Sequence, residues 1–496
     1  MDRNNSQQLH ELLSLFPYSL ARPAQVAALE VIGRMFKEGN RFAIIEVPTG
    51  AGKSALALST ARYAATLEGQ DFEPGAYILT PYNNLAVQMT NHFRNVGLAS
   101  LKGRKHYRAK PVGTYEDARA EFFDSRVGVT NYAYFLKARQ LPERQVLILD
   151  EGHNLERILL GMAGFRIRPQ TCWAAGVDAP QRFGTHDEAR IVDWLGSVLL
   201  PALRTQATLR RHSTIQRRWE DLAERVAEYL DLDDRGQWIA WTDEDTLKVR
   251  PLAVTVLARQ MFARAKHVVI QSATIFDLPT FRRTLGIPDS ALTFSAPSEF
   301  PVRNRPIFYR PIGNMARKTM DNAIPELCME MERIVAHFGN CKGIIHTHSY
   351  SINERVSSHL AVRFGNRIVT HGKDPRSREN AIRRHCVSNG ASVLVSPSMV
   401  EGVDLKGDLA RFQIVCKVPY PRLDPYTRKR CTMDRSWYEL QTAWALVQMI
   451  GRAVRSDTDS AVTFVLDSHF ESFVSRNEKI LPTWWRDAIQ VLARAS

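Results

Sequence analysis

Three groups of side chains in this sequence have the types and spacing for phosphoryl-transfer chemistry. The first is Thr49-Gly50-Ala51-Gly52-Lys53-Ser54. Its glycines let backbone N–H groups turn toward phosphate oxygens, and a helix beginning there adds its positive N-terminus. Lys53 is placed to reach β- and γ-phosphates and Ser54 to hold Mg²⁺. The strict pattern has Gly six residues before the lysine; here Val47 stands there. A plain glycine turn is the alternative. The second group is Asp150-Glu151-Gly152-His153. Asp150 suits a Mg²⁺ ligand acting through the ion's water shell, and Glu151 suits a group that orients and polarises an attacking water. A chance acidic cap is the alternative, and the order of loop first, acidic pair second disfavours it. The third is Gln448-Met449-Ile450-Gly451-Arg452-Ala453-Val454-Arg455. Arg452 and Arg455, three apart, share one helical face. They are surface charges or, with an ATP site on another domain, arginine fingers for a γ-phosphate.

The elements that must position these groups are strands that end at them. Phe42 to Ile45 is an apolar strand before the loop, and Ala55 to Ala65 is rich in helix formers. Gln145 to Leu149 is a strand ending at Asp150, where parallel α/β sheets bind ligands. Tyr77 to Thr80 ends at Pro81, Val127 to Tyr132 is a further strand and its exit, and His267 to Gln271 leads into Ser272-Ala273-Thr274. Roughly 120 residues separate Glu151 from Ser272, more than one βα connection needs. Helical patterns at Ile191–Leu203 and Ile215–Leu230 make residues 160–265 a helical domain inserted into the first α/β domain. After Pro301 a second alternation begins, with strands expected at Gly343–His346, Arg367–Thr370, Ser392–Ser396, Phe412–Val418 and Ala461–Leu466. It has no phosphate loop but carries Glu401-Gly402-Val403-Asp404 after a strand. The resulting division is 1–159 and 266–300 for the first α/β domain, 160–265 for the insertion and 301–496 for the second.

Composition agrees with a multidomain, reduced protein that meets a polyanion. The chain has 496 residues, 44% of them hydrophobic, and a formal charge of +14. Six cysteines, from Cys172 to Cys431, include no C-x-x-C pair and read as reduced core residues. The polar N-terminus carries no signal-peptide core and no apolar run is long enough to span a bilayer. An intracellular location follows as an expectation, cytoplasmic and nucleoid-associated in a prokaryotic or viral setting. Two basic stretches suit a nucleic acid. Lys102 to Lys110 includes Arg104, Lys105, Tyr107 and Arg108, which would offer phosphate contacts and a base stack, or form a solvated loop. The cluster Arg204, Arg210, Arg211, His212, Arg217, Arg218 and Trp219 would line a strand channel, or be an exposed basic face. Gln25, just ahead of the phosphate loop, has an amide whose two faces suit an adenine edge.

Taken in order, these blocks resemble the DinG/XPD-like branch of superfamily 2 helicases along nearly the whole chain. Arg22 and Gln25 stand where the family has its adenine-side motif. Thr49 to Ser54 match motif I, Thr80-Pro81 with Leu85 and Gln88 motif Ia, and Asp150 to His153 the DEAH-like box of motif II. Gly152 replaces the family's usual Ala. Ser272 to Thr274 match motif III, Gly343 to Tyr350 motif IV, Ser396 to Leu405 with Lys417 to Pro421 motif V, and Gln448 to Arg455 motif VI. The resemblance implies two RecA-like parallel-sheet domains in tandem, with an arch-like helical domain between motifs II and III. It implies ATP and Mg²⁺ at Arg22, Gln25, Thr49–Ser54, Asp150, Glu151, Gly402, Asp404, Gln448, Arg452 and Arg455, and coupling through His153 and Ser272–Thr274. Thr80, Pro81 and the basic run would touch the strand. Many relatives hold a four-cysteine iron–sulfur cluster between motifs Ia and II. Here Leu101 to Tyr107 resembles the run into its first cysteine, but Arg108 follows and no cysteine precedes Cys172. No cluster is therefore expected.

The expected activity is a DNA helicase acting in repair, replication or recombination. It would be a monomeric motor moving 5′ to 3′ on single-stranded or forked DNA, with RNA or an RNA–DNA hybrid left open as substrate. The alternative is an ATP-driven translocase that displaces proteins or R-loops without processive unwinding. A nucleic-acid-binding scaffold with a dead ATP site is disfavoured, because every motor residue is present.

Overall fold

A computed structural model describes residues 5–48, 50–93, 96–107, 114–138, 140–180, 182–209, 214–297, 301–397, 407–451, 453–454 and 459–492. Thr49, Arg108, Arg210, Arg211, His212, Gly402, Asp404, Arg452 and Arg455 lie outside the described residues, as does the side chain of Lys105.

The first sheet is built from β1 (Phe42–Glu46), β2 (Glu73–Thr80), β3 (Ala99–Leu101), β4 (Val127–Asn131) and β5 (Arg144–Asp150), and closed after the insertion by β9 (Ala265–Ser272) and β10 (Leu292–Ser295). Its order is β10-β1-β9-β5-β2-β4-β3, and every pair is parallel. Both faces are covered, so its strands are apolar on both sides. Ala43, Ile45, Ile78, Ile148 and Val269 pack on one face with the helices Pro23–Glu38 and Lys53–Ala64. Phe42, Ile44, Tyr77, Leu79, Leu147, Leu149 and Ile270 pack on the other.

The second sheet, β11 (Ile307–Gly313), β12 (Gly343–His346), β13 (Ile368–Thr370), β14 (Val393–Ser396), β15 (Phe412–Val415), β16 (Val462–Asp467) and β17 (Ile489–Val491), runs in the order β13-β14-β12-β15-β16-β11-β17. It too is parallel throughout. Two parallel seven-stranded sheets in tandem are the expected architecture.

The insertion is not purely helical. Beside the helices Pro169–Ala175, Glu188–Trp194, Leu200–Leu209 and Thr214–Leu230 it carries an antiparallel sheet, β6 (Phe165–Ile167), β7 (Trp238–Asp243) and β8 (Thr246–Pro251), in the order β6-β8-β7. The hairpin turn is Glu244-Asp245, with φ of 48° and 61°. Such turns favour Asn and Gly, so this pair hides the turn in the sequence. Near the insertion's end, Val254, Ala258, Met261 and Phe262 pack into the first sheet's core rather than the insertion's.

One helix belongs to both motor cores. Arg435–Ile450 sends Ala443, Leu446, Val447, Met449 and Ile450 into the second domain, and Leu440 and Trp444 into the cluster of Leu155, Leu159 and Phe281 in the first.

Candidate active site

Strand register brings the first-domain motifs to one edge. Glu46 stands opposite Ser272 and Asp150 opposite Gln271, so β1, β9 and β5 end together. That is where open α/β sheets place ligands. The phosphate loop leaves β1 with Gly50 at φ 82° and Gly52 at φ 84°, a left-handed region that suits glycine. Gly52 caps the helix Lys53–Ala64, which opens on the two chemical residues, Lys53 and Ser54. Lys53 Nζ lies 3.6 Å from Glu151 Oε1, so loop and acidic pair meet.

Asp150 is buried. Its Oδ1 accepts from Gln271 Nε2 at 3.0 Å, and the Tyr132 hydroxyl donates to its carbonyl at 2.9 Å. Burial, and then the neighbouring Glu151 charge, push the Asp150 carboxyl up to about 6, against the pull of Lys53. A buried carboxylate next to a half-exposed one, with Ser54 on the helix whose Lys53 meets Glu151, fits a divalent cation. Glu151 sits at φ 50°, a left-handed conformation that is costly for a side-chain-bearing residue and typical of active sites.

Hydrogen bonds lead from this pair to the second domain. His153 Nδ1 is 3.5 Å from Glu151 Oε2 and 2.8 Å from Ser272 Oγ, and Asn154 Nδ2 meets its Nε2 at 2.9 Å. Ser272 Oγ accepts from Thr274 N at 3.1 Å. Thr274 Oγ1 in turn accepts from Gln448 Nε2 at 2.8 Å. Residues more than a hundred positions apart thus form one chain, which joins His153, Ser272 and Thr274, expected to couple the domains, to Gln448, expected at the nucleotide. Ala273 is buried between its two bonding neighbours.

Other assignments change in detail. Gln25 does not present its amide to a base: Oε1 accepts from Arg22 N at 2.8 Å and Nε2 donates to the Ala51 carbonyl at 2.8 Å. With Arg22 Nη1 on the Gly50 carbonyl at 3.0 Å, Gln25 braces the phosphate loop. Its burial explains this, since a dry amide must find protein partners. Tyr107 is half-buried, with its hydroxyl accepting from Lys102 N at 3.2 Å and its ring edge-on to Tyr115, so it is no free stacking platform. Trp219 is buried in the insertion core, leaving Arg204, Arg217 and Arg218 as the exposed members of its cluster among the described residues. Thr80 is buried and donates to the Tyr82 carbonyl, Pro81 is half-exposed, and Arg104 is paired with Glu116 at 3.3 Å.

Three residues escaped the sequence reading. Glu46 takes the backbone N–H of Ile275 (2.7 Å) and Phe276 (3.0 Å) and the Ser295 hydroxyl (3.2 Å), fixing the exit of motif III. Gln271 orients Asp150. Glu156, one turn beyond motif II, faces the second domain. A carboxylate at the end of a buried strand was the signal for Glu46; a single strand glutamine and a single helical glutamate give none.

Two family models match the two motor halves. The type III restriction enzyme res subunit model covers residues 19–160, and the helicase C-terminal domain model covers 334–488. Among solved structures, the fold is similar to an XPD helicase at TM-score 0.67 and 15% identity, over 96% of this chain and 100% of that one. It is similar to S. tokodaii Xpd4 at 0.64 and 15%, over 94% and 99%. An apo XPD structure matches at 0.64 and 15%, over 99% and 100%. At such identity these likenesses speak for the fold, and the family models and motifs for the chemistry. The helicase C-terminal model on the second motor half, the res-subunit model on the first and an XPD-type fold along the whole length support a helicase, and its motifs stand in the order of the DinG/XPD-like branch of superfamily 2, which the chain resembles.

Proposed function

We propose that this helicase translocates 5′ to 3′ on single-stranded DNA and unwinds duplex ahead of it. The observation that carries the reading is the link Lys53–Glu151–His153–Ser272–Thr274–Gln448, which joins a phosphate loop in one domain to a helix of the other. A change at the γ-phosphate is thereby felt across the cleft. Lys53 would neutralise phosphate charge and Glu151 would orient water; Arg452 and Arg455 would complete the site from the second domain on closure. Ser54 and Asp150 would hold Mg²⁺, which when bound screens the phosphate oxygens. Closure and reopening alternate the grip on the strand. Pro81 and Arg104 are exposed enough to meet its backbone, and Lys105 and Arg108 extend that basic run. The 5′-to-3′ direction rests on the family resemblance alone, since two α/β domains ratchet either way.

The test is unwinding of two duplexes, one with a 5′ tail and one with a 3′ tail, with ATP and Mg²⁺. Opening of the 5′-tailed duplex alone is expected. Opening from the 3′ tail alone reverses the polarity. Stripping of a bound protein without strand separation assigns the translocase reading instead.

A further inference from the structure

Glu156 lies in the helix Leu155–Ala163 that leaves motif II, and its carboxylate meets the second domain. It is buried, and its carboxylate is held entirely by residues far along the chain. Arg430 Nη2 donates to Oε1 at 2.7 Å, Trp437 Nε1 bridges Oε1 and Oε2 at 3.0 and 2.9 Å, and Gln441 Nε2 reaches Oε2 at 3.2 Å. Arg430 also donates through Nη1 to the Leu252 carbonyl at the end of the insertion. Trp241 of the insertion, Tyr426, Trp437 and Leu252 pack around the pair. One carboxylate therefore joins the first motor domain, the insertion and the second motor domain.

The helix Arg435–Ile450 is held by the first domain at both ends, by unequal bonds. Near its start, Trp437 and Gln441 grip Glu156. Near its end, Trp444 packs against the first domain and Gln448 makes one hydrogen bond to Thr274. Eleven residues, roughly 16 Å at helical rise, separate Trp437 from Gln448. Hydrogen bonds to a charged carboxylate are roughly twice as strong as neutral ones, and Thr280 and Arg283 of the first domain add bonds to Ser436 and Asp434 at the same end, so the start is the more firmly held. A force that separates the domains would act first on the Gln448 end.

We propose that Glu156, clamped by Arg430, Trp437 and Gln441, is the fulcrum of the motor: a positioning residue about which the second domain and insertion turn while the Gln448 end swings against motif III. The swing would move Gln448 relative to Thr274, and the fixed start keeps motif II in register. This rests on the ATP-driven closure proposed above.

The test compares wild type, Glu156→Gln, the charge-free pair Glu156→Gln with Arg430→Gln, Trp437→Phe and Gln441→Ala. Thermal midpoint, ATP KM and kcat are measured with and without oligo-dT. Glu156→Gln alone should lower the midpoint, because Arg430 is left buried and unpaired. The charge-free pair should recover most of that midpoint, yet lose at least tenfold in oligo-dT-stimulated kcat with ATP KM within twofold of wild type. Trp437→Phe keeps the packing and removes one donor, and should lose about threefold in stimulated kcat, as should Gln441→Ala. Wild-type stimulated kcat in Trp437→Phe and Gln441→Ala overturns the fulcrum, whether or not the charge-free pair folds. Absence of oligo-dT stimulation in wild type overturns the motor reading, and the fulcrum with it.

Discussion

The structure gives a reason for glycine at position 152. A Cβ on it would run into Ile270 Cγ2, a branched atom held in the central strand β9. Strand and motif II are matched to each other: a bulky Ile here, no side chain there. Gly152→Ala should therefore overpack the junction, costing about 1–3 kcal/mol, and should lower kcat by displacing Glu151 and His153. A urea titration with a turnover assay checks both, and Ile270→Val in the same background should recover part of each loss. Glu151→Gln should keep ATP binding and lose about 10²-fold or more in turnover, read by nucleotide titration beside single-turnover hydrolysis. Equal loss of binding and turnover would make Glu151 structural. Lys53, Asp150 and Glu151 were legible because glycine spacing and strand ends mark them. For Gln25 the sequence suggested an adenine edge and the structure shows the phosphate loop as partner, since burial decides what an amide bonds and burial is not written in its neighbours.

At the scale of elements, apolar runs announced most strands of both sheets. Those that stayed hidden have local causes. β11 contains Pro311, and its pairing with β16 slips between Tyr309 and Gly313, a bulge that breaks the strand pattern. β3, β10 and β17 are three or four residues long at sheet edges. The helix Pro375–Val387 carries a testable titration. His385 is fully buried, with the Ser392 hydroxyl at 2.9 Å and the Leu409 carbonyl at 2.8 Å. Burial lowers its pKa from 6.5 to about 4. The unfolded chain takes up this proton below pH 6.5 and the folded chain only near 4. The stability contributed is whole above 6.5 and is lost as pH falls toward 4. Between pH 7 and 5 the loss should be about 1–2 kcal/mol. Urea midpoints at the two pH values should differ less in His385→Gln than in wild type; equal differences would remove His385 as the cause.

The whole molecule is two parallel sheets tied by one shared helix, with the insertion pinned beside it. Tandem domains and an interruption between motifs II and III were readable from spacing. The joint was not, because it is made of single residues, Glu156 from one stretch and Arg430 and Trp437 from another 274 residues or more along the chain, and nothing in one sequence says they meet. The net charge of +14 belongs to this scale as well. Strand affinity should fall steadily with rising salt through counterion release, and Arg104→Ala should weaken it and flatten that slope slightly while ATP binding stays intact. An unchanged slope and affinity would leave Arg104 as the partner of Glu116 alone.

The central claim is that the cleft at the ends of β1, β5 and β9 is an ATP-hydrolysing motor governed by nucleic acid. The most direct measurement is steady-state ATP turnover with Mg²⁺, with and without oligo-dT, for wild type and Lys53→Ala purified side by side. Oligo-dT should raise wild-type kcat at least several-fold, and Lys53→Ala should turn over at background in both conditions while keeping the wild-type thermal midpoint. Wild-type turnover in Lys53→Ala, or a wild-type rate indifferent to the strand, would contradict the account.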